Sequence, residues 1–309
     1  MSAENSGEKD TINSPFLLGM NQEQRGVFET LVQERDELLR KNENLKRSLR
    51  FAGEVQKRTT PDSGPELEGY DNGALFVPAR DVGGDSFDFY LPRSSQGDLG
   101  TDYLGVSVAD AVDKDLSAEI LASMTHALFH AEAFRYNATP TEVVKRVNRN
   151  LMLSAKNEGM FVTALYGILE PTTGKFIFVS QGHPVPILFG KDKEVLSVPN
   201  SIGRPLNVDY DIAAREEEIV IPEGGKMFLY TDGILEAENK NGSPYNKEQF
   251  YAVVRNNWNA PTQDVVERVM YDVCAYQGNP EKSSDDRTLI GFGRNKKISE
   301  ELLSRQEQR

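Results

Sequence analysis

The sequence predicts an α+β fold of packed antiparallel sheets, on three observations. Strand-like segments dominate from residue 74 onward and follow one another in hairpin order. Helical segments enter between them as a pair, not one per strand, so a parallel βαβ sheet is not indicated. Neither a P-loop nor a dinucleotide fingerprint is present, because Gly83-Gly84 is followed by a strand pattern and not by a helix.

Residues 1–20 are polar and read as a disordered tail. Residues 21–58 form a helical segment without Pro, in which Leu31, Leu38, Leu45 and Ala52 fall at d of a heptad register. Phe28, Arg35, Asn42 and Leu49 then fall at a, so two polar residues sit on the seam. One reading is a short homodimer coil through 21–55; the other is a charged amphipathic helix lying on its own domain. Thr59-Thr60-Pro61-Asp62-Ser63-Gly64-Pro65 breaks the helix and opens the globular part, 59–295, which a charged tail follows at 296–309.

Within the globular part, strand-like text runs from Ala74 to Phe89 and from Tyr103 to Asp110. Helices are expected from Leu116 to Phe134 and from Pro140 to Ala155, the second opened by Thr139 as cap, Pro140 and Glu142. Strands at 160–169 and 175–180 flank the hairpin signal Pro171-Thr172-Thr173-Gly174. Further strands are expected at 185–189, 194–198, 216–221 and 226–231, then a helix over about 261–276 and a closing strand, Arg287 to Gly293.

A formal net charge of −13 argues against nucleic acid or an anionic membrane as partner. The single cysteine, Cys274, permits no internal disulfide, suits a reducing compartment and is expected to be buried and inert. No apolar run approaches a membrane span, and the first residues lack the layout of a signal peptide, so a cytoplasmic location is expected.

Four acids stand out by position. Asp85 follows Gly83-Gly84 at the start of a strand, Asp110 ends one, Asp232 follows Met227-Phe228-Leu229-Tyr230-Thr231 and precedes Gly233, and Asp285 precedes the closing strand. In a strand over 85–90, alternation puts Asp85 with Phe87 on one face and Asp88 on the other. An acid on an apolar face needs a cation or a hydrogen-bond donor. Carboxylates with no His or Cys nearby suit Mg²⁺ or Mn²⁺. Several strand ends together can hold two such ions roughly 3.5–4 Å apart, with a bridging water as nucleophile toward phosphorus.

Five ordered pieces carry a family resemblance: Pro78-Ala79-Arg80-Asp81-Val82-Gly83-Gly84-Asp85-Ser86-Phe87-Asp88, Met160-Phe161-Val162-Thr163-Ala164-Leu165-Tyr166-Gly167, Gly182-His183-Pro184, Leu229-Tyr230-Thr231-Asp232-Gly233-Ile234-Leu235-Glu236-Ala237 and Ser284-Asp285-Asp286-Arg287-Thr288. With them the chain resembles the PPM (type 2C) metal-dependent serine/threonine phosphatases, in particular the bacterial SpoIIE/RsbU-like branch. A helix ending in Glu54-Val55-Gln56 is also similar to that branch. The resemblance implies a four-layer αββα sandwich and two Mn²⁺ or Mg²⁺ ions. It implies Asp85 and Asp110 as ligands of the metal pair, the Ala111 carbonyl on the first ion, and Asp232 and Asp285 on the second. Arg80 matches a phosphate-binding position, although a surface Arg is the alternative, and His183 is given a structural role. The role of Asp88 stays open.

The implied reaction is hydrolysis of phosphoserine or phosphothreonine on a regulatory protein, in this branch often a STAS-domain anti-anti-sigma factor. The alternative is a catalytically weak, metal-binding module that sequesters such a partner. That alternative turns on Ala111-Val112-Asp113-Lys114-Asp115, where the family has small residues and glycines; Asp115 is also a candidate helix cap.

Overall fold

The structure, a computed structural model, describes residues 20–91, 103–112, 116–135, 138–155, 159–278 and 285–295. Nearly all of the expected tail 1–20, the loop Asp113–Asp115 and the tail 296–309 lie outside the described residues. The chain divides into two units, the first ending at Ala52 and the second starting at Gly53.

The expected N-terminal helix forms as α1, Gln22–Thr59. Asn21 and Gln24 exchange side-chain to backbone hydrogen bonds at its start, which satisfies two groups the first turn leaves open. No residue of α1 is buried, and Leu31, Leu38 and Leu45 at d are 57, 66 and 56% exposed. The d-position leucines of the heptad stripe are therefore exposed among the described residues.

In the second unit the strand-like text of 74–89 resolves into β1 (Tyr70–Val77) and β2 (Asp85–Tyr90), separated by a turn. Pro78 and Gly83-Gly84 interrupt it, and the two strands enter different sheets. Next come β3 (Leu104–Ala111), α2 (Leu116–Ala133) and α3 (Pro140–Ser154). The capping box read at Thr139 and Glu142 is present. Strands β4 (Val162–Glu170) and β5 (Lys175–Gln181) form the expected hairpin. Gly174 closes it at φ +78°, a conformation that favours glycine.

Then follow β6 (Ile187–Phe189), β7 (Val195–Leu196), β8 (Ile202–Gly203), β9 (Glu217–Val220) and β10 (Lys226–Tyr230). The chain continues through a 3₁₀ turn at Asp232–Ile234, α4 (Lys247–Asn256), α5 (Thr262–Gln277) and β11 (Arg287–Arg294). Helix α4 and the short β8 have no counterpart in the sequence reading.

One sheet has the order β1-β11-β10-β6-β7 and the other β2-β3-β4-β5-β8, with β9 also on β5. Every strand pair is antiparallel except β5 with β8. Side-chain alternation builds the layers. On β3, Val106 and Val108 enter a core that also holds Leu229, Ile290 and Phe292 of the other sheet, whereas Ala109 and Ala111 pack with Leu121 of α2 and Val143 and Val147 of α3. The outer face of the first sheet, with Phe228 and Leu289, packs on Phe250 and Val254 of α4 and Val265 and Val269 of α5. The result is the expected four-layer αββα sandwich. Cys274 departs from expectation: it is half-buried, and the Arg287 guanidinium donates to its sulfur at 3.0 Å. No helix among the described residues is long and apolar enough to cross a membrane.

Candidate active site

Asp85 is the first residue of β2 and pairs in register with Asp110 near the end of β3. Its face is the inter-sheet one: Phe87 and Phe89 continue it into the central core, while Tyr90 joins the core under α2. Asp85 is 2% exposed, and the Thr231 and Thr288 hydroxyls of the opposite sheet donate to its Oδ2 at 2.7 and 2.8 Å. One carboxylate thus ties the two sheets together at this end. Burial raises the Asp85 carboxyl well above the usual carboxylate range; the charges of Asp110 and Asp286 add to this, and the two threonine bonds oppose it.

The turn before Asp85 is held from two sides. Asp286 accepts from the Ala79 N–H at 2.6 Å and the Gly84 N–H at 2.5 Å. Gln56, in the last turns of α1, donates from Nε2 to the Gly83 carbonyl at 2.7 Å and accepts the Gly83 N–H on Oε1 at 2.9 Å. Both glycines sit in tight surroundings. A Cβ on Gly83 would meet the Phe76 ring at 2.5 Å, and one on Gly84 would stand 3.1 Å from the Ala111 carbonyl oxygen. The Ala111 N–H in turn donates to the Gly84 carbonyl at 3.0 Å, which fixes the end of β3 against the turn. Gln56→Ala removes both bonds to Gly83, and the expected loss is about 1–2 kcal/mol of unfolding free energy, read from the urea midpoint.

Asp232 opens the 3₁₀ turn directly after β10. Gly233 lies against the Asp286 carbonyl, and a Cβ there would stand 3.2 Å from Cβ of Asp285, so the Asp232 turn and the Asp285 segment are in close packing. Asp232 and Asp285 therefore come from the same end of one sheet, and Asp85 and Asp110 from the other. Among the described residues, no three His, Cys, Asp or Glu side chains are gathered into a ready-made metal cage. The donor chemistry nonetheless fits a hard divalent cation. The acids are oxygen-only, Asp85 is buried, and its neighbours Asp110 and Asp286 add negative charge that a cation would offset. Arg80 is exposed on the turn between Ala79 and Gly84.

Two expectations about nearby residues resolve. His183 is buried, with Nδ1 2.8 Å from Thr163 Oγ1 and its carbonyl accepting from Ser180; burial lowers its pKa to about 3, so it is a neutral structural residue. Asp88 points away from Asp85, as alternation requires. Its Oδ2 lies 3.0 Å from His130 Nδ1 and 3.3 Å from His126 Nε2, both on α2. Burial pushes the Asp88 carboxyl up, but the close His126 and His130 rings and the Phe89 N–H outweigh it and hold it below the usual range. Asp88 anchors α2 to β2.

Sequence reasoning passed over Asp286, Gln56 and Thr288 as site residues. All three lie within quoted motifs, but the groups they bond to are visible only in three dimensions.

The chain is similar to a described family and to several known proteins. The profile of the family described as Stage II sporulation protein E (SpoIIE) matches residues 100–295. The chain is 24% identical over 272 residues to Protein IcfG of Synechocystis sp., covering 78% of this chain and 40% of that protein. It is 22% identical over 248 residues to Phosphoserine phosphatase RsbU of Bacillus subtilis, covering 80% of this chain and 70% of the relative. Among solved structures, the SiaA-PP2C domain of Pseudomonas aeruginosa superposes with a TM-score of 0.69 at 18% identity, over 82% of this chain and 98% of that one. At such identity the likeness speaks for the fold.

Proposed function

The chain belongs to the SpoIIE family, with a phosphatase domain of the PP2C type, and on that footing we propose that it hydrolyses phosphoserine or phosphothreonine on a regulatory protein. The observation that carries this reading is the buried Asp85, placed beside Asp110 and tied to Thr231 and Thr288 of the facing sheet. The metal ligands in this reading are Asp85, Asp110, the Ala111 carbonyl, Asp232 and Asp285. Two Mn²⁺ or Mg²⁺ ions bound there would supply an activated water and offset the charge developing on the phosphoryl group. Arg80, exposed on the same turn, would receive a phosphate oxygen pair with its guanidinium. Asp286 and Gln56 hold the turn so that Asp85 keeps its place, and Asp88 keeps α2 on the sheet behind it.

The test is release of phosphate from p-nitrophenyl phosphate and from a phosphoserine peptide. Turnover that depends on added Mn²⁺ or Mg²⁺ and stops with chelator supports the reading; turnover indifferent to both ends it.

RsbU, named a phosphoserine phosphatase, supports phosphoserine as the group hydrolysed, and a STAS-domain anti-anti-sigma factor is the substrate this reading names. The rival reading, a weak partner-sequestering module, rested on the loop Asp113–Asp115, which lies outside the described residues.

The domain plan completes the proposal: a dimerising coil through 21–55 ahead of a phosphatase domain over 59–295. The exposed d positions of α1 support it, since an apolar stripe in water gains by pairing with a second copy. The double substitution Leu38→Asp and Leu45→Asp leaves Gln56 in place. It is expected to weaken the dimer about a hundredfold or more by sedimentation, a change of about 3 kcal/mol. An unchanged association constant would remove the coil from the proposal.

A further inference from the structure

At the end of β10 and β11 opposite the acids there is a cavity of about 450 Å³, within the size range of small-molecule sites. Asp71, Lys226, Trp258, Pro261, Gly293 and Arg294 are among its lining residues. Lys226 is the unusual member. It is 7% exposed, and its ammonium donates to Thr262 Oγ1 at 3.0 Å and stands 5.8 Å from the centre of the Trp258 ring.

The nearby acid does not meet this cation directly. Asp71 Oδ2 accepts the Thr262 N–H at 2.6 Å and the Thr262 hydroxyl at 2.8 Å, so the hydroxyl stands between ammonium and carboxylate. Among the described residues Lys226 forms no ion pair, and Thr262 takes one of its three donors. Burial pulls the Lys226 pKa down, with the Asp71 charge opposing. Arg294, the other cation among the described wall residues, is committed to the carbonyls of Thr172, Thr173 and Ile221. A buried ammonium with donors to spare is costly unless an anion reaches it.

We propose that this cavity binds a small organic monocarboxylate, its carboxylate on the Lys226 ammonium and its flat body against Trp258. A single negative charge fits because the Asp71 carboxylate lies on the same wall and repels a dianion. The indole offers the apolar face on which a planar body packs. The site is distinct from the acids around Asp85 and stands whether or not the phosphatase reading holds.

Trp258 is the chain's only tryptophan, so its fluorescence reports on the cavity directly. Benzoate is titrated into the full chain, with benzamide as the uncharged isostere and inorganic phosphate as the more highly charged anion. Benzoate is expected to give a saturable change, with benzamide and phosphate weaker by about tenfold or more, the equivalent of 1.4 kcal/mol. Lys226→Met, which keeps the length and removes the charge, is expected to lose about the same factor toward benzoate. The proposal falls if benzoate gives no saturable change, if benzamide or phosphate matches it, or if Lys226→Met binds benzoate like the parent. Should circular dichroism show Lys226→Met unfolded, the comparison of the three probes on the parent chain decides alone.

Discussion

Asp110→Asn is expected to lower kcat for Mn²⁺-dependent phosphate release by about a hundredfold or more. The substitution keeps the shape of the side chain and removes one negative charge from a site proposed to hold two dications. A loss of about 3 kcal/mol of transition-state stabilisation is the scale at which such a factor appears. Initial rates at saturating Mn²⁺ measure it; near-parent turnover would refute the ligand assignment.

Asp85→Asn should cost as much activity while affecting stability in the opposite sense. In the folded chain the Asp85 carboxyl is raised by burial and by Asp110 and Asp286, so the folded state binds its proton more tightly than the unfolded state does. Stability from this group is greatest below the ordinary carboxylate pKa and is lost as pH rises through the folded-state pKa. Asn carries no charge to desolvate, and its oxygen still accepts from Thr231 or Thr288. Chelator-treated Asp85→Asn is therefore expected to melt higher than the parent at neutral pH, with the gain shrinking in acid. A lower Tm at neutral pH would mean that Asp85 stabilises the fold through contacts outweighing its desolvation.

Much of this was legible in the sequence because it depends on short-range periodicity. Period-two alternation in Asp85-Ser86-Phe87-Asp88-Phe89-Tyr90 is enough to put Asp85 and Asp88 on opposite faces. Other features lacked such a signal. Helix α4 is ten residues long with only Phe250 and Val254 buried, so its apolar stripe is too short to register. Its capping box, Asn246 with Gln249, was the one available cue. The partners of Asp88 were hidden for a different reason. His126 and His130 share a helix face by their spacing, but nothing local says that β2 runs beneath them. The same holds for Asp285 and Asp286: adjacent residues diverge, and only the tertiary fold shows which one meets the Ala79 and Gly84 N–H groups.

Asp286 carries a further large effect. Asp286→Ala leaves the Ala79 and Gly84 N–H groups without their acceptor at a half-buried turn, at about 1–3 kcal/mol for each group. Water can reach a half-buried turn, which holds the expected total to about 2–4 kcal/mol, read as a shift of the urea midpoint. Activity should fall with it, because Gly84 is the residue before Asp85 and a loosened turn lets the buried carboxylate drift from Asp110. A displacement on the order of 1 Å is enough for a loss of about tenfold to a hundredfold in kcat. Asp286→Asn separates positioning from charge. One amide oxygen can accept from Gly84 or Ala79 but not from both in the same geometry, and the charge that helps raise the Asp85 carboxyl is gone. The Asn variant should recover part of the stability and part of kcat. If Ala and Asn behave alike in stability and kcat, Asp286 does not hold the turn through its acceptor oxygens.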